Sequence, residues 1–136
     1  MSVSPGRMAR VLRFNTALFD VSKERPNHIN LIPGESLLLW LIEQSGSELE
    51  ISRPAPEDWG WYSYAVWNGR KYLLGACACG EAEDGQREWV LQIEKQRSLK
   101  EKLQGREKMA NDDDCADYFQ SLLAREFPNV SVDPDP

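Results

Sequence analysis

The sequence predicts an α+β fold: a single antiparallel sheet of about five strands, with an N-terminal-half helix and a C-terminal helix packed on it. Three observations carry this reading. Segments of alternating hydrophobicity follow one another between residues 48 and 95, joined by short turns, which implies antiparallel pairing. Asn68-Gly69 stands between two aromatic and β-branched runs. That dipeptide is a strong hairpin cue, because a type I′ turn needs positive φ at both central residues. Helical stretches with an apolar face precede and follow these strands.

The elements are expected in the following order. Residues 1–6 are a loose start. Arg10 to Asn15 alternates as a strand, with Leu12 and Phe14 on one face and Val11, Arg13 and Asn15 on the other. Ala17 to Val21 is apolar and ambiguous, and residues 22–34, with Pro26, Pro33 and Gly34, read as a long loop. Glu35 to Ser45 is a helix whose stripe is Leu37, Leu38, Leu41 and Ile42, widened by Trp40 and capped by Gly46. Glu48 to Arg53 is a half-buried strand that Pro54 and Pro56 terminate.

The hairpin spans Trp59 to Cys79. A two-residue loop pairs Trp67 with Arg70, Ala65 with Tyr72 and Ser63 with Leu74. One face then holds Trp61, Ser63, Ala65, Trp67, Tyr72, Leu74 and Ala76, the other Tyr62, Tyr64, Val66, Leu73, Gly75 and Cys77. Neither face is polar, so the hairpin is expected at the centre of the sheet and covered on both sides. Residues 80–87 read as an exposed turn. Glu88 to Lys95 is a strand with Trp89, Leu91 and Ile93 inward. Ser98 and Glu101 have capping-box spacing ahead of a short polar helix running towards Gly105. Asp112 to Asp114 place negative charge at the start of a last helix, which carries Cys115, Tyr118, Phe119, Leu122, Leu123 and Phe127 and stops at Pro128. Val130 and Val132 suggest a short edge strand, and the tail from Asp133 is expected to be loose.

The chain of 136 residues fits one domain, 1–136, large enough to bury a core without disulfide or metal. Its net charge is −6, unevenly spread: residues 34–69 hold one cation and six anions, and residues 110–136 one cation and seven anions. That field disfavours phosphate backbones and anionic lipid and favours a basic partner. The longest clean apolar run, Leu37 to Ile42, is far short of a membrane span. No signal-peptide stretch follows Met1, and three cysteines are an odd number. Together these predict a cytoplasmic location.

Candidate chemistry is sparse. His28 is the one histidine, in a loop without a nucleophile frame, and reads as a surface residue. Cys77 and Cys79 share a strand face, and two thiolates there can hold a soft metal. Only Cys115 and His28 remain to complete a ligand set, so they read instead as small apolar residues in a covered strand. Glu57 and Asp58 form a polar turn, and Asp112 to Asp114 a helix start rather than a calcium loop. No glycine spacing matches a phosphate cradle. Lys95 to Lys108 carries six cations without interleaved aromatics, the pattern of a solvated helix face.

The aromatic density at Trp59, Trp61, Tyr62, Tyr64 and Trp67 is left over. It reads as a double-sided sheet core or, in part, as an exposed recognition patch flanked by Glu57 and Asp58. No catalytic frame, metal or cofactor is expected. The function expected is a non-catalytic protein-interaction module with a protein partner, basic in charge, and with Glu57, Asp58, Trp59, Trp61, Tyr62, Tyr64 and Trp67 as the binding residues. One alternative is a small-molecule-binding domain or enzyme with a sheet–helix pocket lined by Tyr62, Tyr64 and Cys77. Another is weak nucleic-acid binding through residues 95–108. In size, acidity and aromatic richness the chain is similar to immunity proteins that inhibit basic toxins, a likeness of class that no motif carries.

Overall fold

The computed structural model describes residues 9–83 and 85–133. Among them, seven strands form one antiparallel sheet: β1 (Ala9–Thr16), β2 (Glu50–Ile51), β3 (Ala55–Glu57), β4 (Gly60–Trp67), β5 (Arg70–Glu83), β6 (Gln86–Lys95) and β7 (Ser131–Val132). The helices are α1 (Glu35–Ser45), α2 (Leu99–Leu103) and α3 (Asp114–Glu126). The strand order is β2-β4-β5-β6-β1-β7, with β3 pairing β4 beyond the end of β2. The expected loose residues 1–6 and 134–136 lie outside the described residues. Asp133 is tied down, accepting from Arg13 Nε at 2.8 Å and donating its backbone N–H to Val11.

The hairpin forms in the expected register, with Trp67 opposite Arg70, Ala65 opposite Tyr72 and Ser63 opposite Leu74. Asn68 and Gly69 have φ of 49° and 79°, as a type I′ turn demands. The strand from residues 9–16 joins β6 at long range, placing Leu12 opposite Leu91 and Phe14 opposite Trp89. These side chains, with Trp61, Ala65, Tyr72, Leu74, Ala76, Ala78 and Ile93, make the inner face. Two helices cover that face. From α1 come Leu37, Leu38 and Leu41, and from α3 Cys115, Phe119, Leu122 and Leu123. Phe127, just past α3, stacks on Phe14 with ring centroids 4.6 Å apart.

Four expectations need correction. The sheet has seven strands rather than about five. Pro54 and Pro56 interrupt the expected strand without ending it: the chain pairs again with β4 at Ala55–Glu57, putting Pro56 opposite Trp61. An edge strand tolerates a proline because its outward N–H has no ladder partner to lose. Residues 80–87 are mostly strand, since β5 runs to Glu83 and β6 starts at Gln86, with a register shift between Cys79 and Glu83 where Gly80 takes φ of 66°.

The fourth correction concerns the face of Tyr62, Tyr64, Leu73 and Cys77. Among the described residues no helix lies over it. Both long helices pack on the inner face, and α2 is held at the Arg70 end of the hairpin, where Glu101 accepts two bonds from the Arg70 guanidinium. An apolar pattern specifies that a face is shielded only in part, since long side chains can shield one another. Here Lys71 lies over the Tyr64 ring at 4.7 Å, and the Trp59 indole lies on Gly75. No described helix is long and apolar enough to cross a membrane.

Candidate functional site

The sheet splits the sequence-derived site residues into two groups. Trp61 is 1% exposed on the inner face, with the Arg25 guanidinium over its ring at 5.2 Å. Trp67 is half-buried against Tyr118. Neither is on the outer face, because alternation sends odd residues of β4 inward. Tyr62 and Tyr64 stand on the outer face, edge to face at 5.6 Å. Trp59, 42% exposed, joins them from the β3–β4 turn.

Trp59 reaches the sheet because Gly75, the register partner of Tyr62, leaves room for it. A Cβ at Gly75 would come within 2.8 Å of the indole. The outer face is therefore a continuous surface of Trp59, Tyr62, Tyr64 and Leu73, bordered by Lys71 and Glu94. Glu57 is half-buried in β3 and its Oε1 accepts the Asp58 N–H at 2.9 Å, while Asp58 is exposed. The two acids thus sit at the rim beside Trp59.

The loop of residues 24–34 completes this end of the molecule, and nothing in the sequence singled out its apolar residues. Its keystone is Asn27, which is buried. Its Nδ2 donates to the carbonyls of Glu57 at 3.1 Å and Gly60 at 2.9 Å, and its Oδ1 accepts the N–H groups of Ile29 and Asn30. Asn30 Nδ2 in turn donates to the Asp58 carbonyl at 2.9 Å. Upstream, Glu24 accepts from the N–H groups of Gly34 and Ser36 and so caps α1, whose own N-cap residue, Gly34, has no side chain to do so. Arg25 pairs with the buried Glu35 and donates to the Pro54 carbonyl at 2.8 Å. A loop pinned at so many points holds Ile29 at 57% exposure and Leu31 at 87%. The one sequence signal was three aliphatic residues, Ile29, Leu31 and Ile32, in a segment bounded by Pro26 and Pro33.

The remaining candidates are inert or engaged. Cys77 and Cys79 are free thiols, half-buried on the outer face. Burial, with Cys79 alongside, pushes the Cys77 thiol up to about 11, so it stays protonated near neutrality. Tyr62, Tyr64 and Cys77 have no helix opposite them among the described residues, so the sheet–helix pocket expected there is not formed. No group of three or more acidic, cysteine or histidine residues among the described residues is placed to hold a metal. His28 is exposed. In the basic stretch, Lys95 pairs with Glu107 at 3.3 Å and Arg97 donates to the Arg106 carbonyl at 2.9 Å, so part of its charge is spent on holding the segment that follows α2.

Known protein families, curated proteins and solved structures offer no match to this chain.

Proposed function

We propose that the chain is a non-catalytic protein-interaction module, an inhibitor or adaptor that engages a basic partner through the surface around Trp59. The observation that supports this reading is the exposure of Trp59, Ile29 and Leu31 on a scaffold fixed by Asn27, beside Glu57 and Asp58. Large apolar side chains are costly to leave in water, and a pre-ordered loop loses little entropy when a partner covers it. Tryptophan is enriched among residues that dominate interface energy. The acid rim supplies steering towards positive charge, in keeping with six anions against one cation over residues 34–69.

The test uses the full chain as bait, alongside Trp59→Ala and the double variant Glu57→Lys/Asp58→Lys. A basic protein retained by the native chain is expected to lose about 2 kcal/mol or more of binding energy to Trp59→Ala. The charge reversal is expected to slow association. All three chains should give the same circular dichroism, since Trp59 and the acids are outside the core. Equal retention on all three baits would overturn the assignment.

A further inference from the structure

A second notch lies at the opposite end of β4, formed by the α1–β2 loop, the hairpin turn and α3. We propose that it takes an alkylammonium cation, held by the rings of Trp67 and Tyr118 and the carboxylate of Glu48. The cavity is about 280 Å³ and is lined by Glu48, Leu49, Val66, Trp67, Asn68 and Tyr118. The two rings adjoin with centroids 5.4 Å apart and planes at 45°, so they form two walls of one corner. Both are half-buried and fixed. Tyr118 donates its hydroxyl to Ser45 Oγ at 3.1 Å, and Trp67 is locked by the turn that pairs it with Arg70.

The chemistry of this corner selects charge and shape. Aromatic faces carry negative quadrupole density and attract a cation that approaches them. Glu48 is the one charged residue of the lining, and it is negative. Leu49 and Val66 offer apolar contact to methyl or methylene groups, and Asn68 a carbonyl oxygen to an N–H. An anion finds no cationic group in the lining, and a metal ion finds one carboxylate. The notch is distinct from the surface around Trp59, and the inference stands or falls independently of that surface.

Two sources carry the same chemistry, a free quaternary amine and a lysine side chain. The experiment titrates ¹⁵N-labelled protein with tetramethylammonium chloride and, separately, with Nα-acetyl-lysine methylamide. Sodium chloride at equal ionic strength and tert-butanol, the uncharged counterpart, are the controls. The Trp67 indole N–H resonance, assigned by its loss in Trp67→Phe, should shift saturably with an ammonium ligand and not with either control. Response to tetramethylammonium alone assigns a free amine as the source, and response to the lysine derivative assigns a side chain.

Glu48→Gln, an exposed change that leaves the fold intact, should weaken binding about three- to five-fold, and Trp67→Leu should abolish it. An equal shift with sodium chloride or tert-butanol, or undiminished binding by Glu48→Gln, would overturn the proposal.

Discussion

At the scale of single residues, two positions show how tightly the inner face is built. Trp89 is 1% exposed and meets Phe19 edge to face at 4.9 Å. Replacing it by alanine leaves a ring-sized void, so Trp89→Ala is expected to cost about 3–5 kcal/mol in urea denaturation. A loss below about 1 kcal/mol would show that β6 is not core. Gly34 is needed for a different reason. Its φ of 172° is ordinary extended backbone, but a Cβ there would lie 2.2 Å from the Ala76 carbonyl oxygen and 3.2 Å from Trp61 Cδ1. The neighbour is backbone and cannot step aside, so Gly34→Ala is expected to cost about 1–3 kcal/mol through overpacking. A variant as stable as the native chain would mean that the loop lifts freely from β5.

At the scale of elements, α2 contrasts with the other helices. Its five residues bury no side chain, and Leu99 and Leu103 are exposed. A helix so short has no intrinsic stability in water, so its termini must hold it. Ser98 and Glu101 form the expected capping box, and Arg70 clamps the same carboxylate with two bonds of 2.8 and 2.9 Å. Ser98→Ala should therefore destabilise α2 locally by about 1 kcal/mol, visible as faster amide exchange at Glu101 while the sheet amides are unchanged. Arg70 and the Ser98 N–H also hold the Glu101 carboxyl down at about 2. A lowered value means that the stabilisation is present above the usual carboxylate range and fades as pH falls towards 2. Acid should fray α2, with exchange at Glu101 rising first.

At the scale of the whole molecule, the buried acids that titrate at high pH set a limit. Tyr72 donates its hydroxyl to Asp113 Oδ2 at 2.6 Å in the core, and burial followed by that carboxylate pushes its pKa far above the ordinary value. Burial pushes the Cys115 thiol up to about 12 and the Cys77 thiol up to about 11. Each group holds its proton more firmly folded than unfolded. Their contribution is complete below the unfolded values, about 8.5 for cysteine and 10 for tyrosine. It is lost as pH rises beyond them, because the unfolded chain then gives up protons that the folded one keeps. Thermal melting should be level with respect to these groups between pH 6 and 8 and fall steadily above about pH 9. A melting temperature unchanged up to pH 11 would mean that these groups ionise in place.

What the sequence determined by itself is local. The α1 boundaries, the Asn68-Gly69 turn and its register, the inward set Trp89, Leu91 and Ile93, the capping box and the negative start of α3 all follow from neighbours a few residues apart. Periodicity and turn chemistry act over that range, so the pattern and the structure agree. Of the site, Trp59, Tyr62 and Tyr64 were legible as aromatic residues, and so were Glu57 and Asp58 as acids. Parity along the hairpin already set Trp61 and Trp67 apart from Tyr62 and Tyr64, but which of the two faces stays uncovered, and that Trp59 joins it over Gly75, did not follow from parity. The tertiary structure decided the rest: which face the helices cover, that β1 closes the sheet beside β6, that Asn27 lifts Ile29 and Leu31 into solvent, and that Glu48, Trp67 and Tyr118 share one corner. Those outcomes depend on contacts between residues tens of positions apart, where packing competition among whole elements outweighs any local preference.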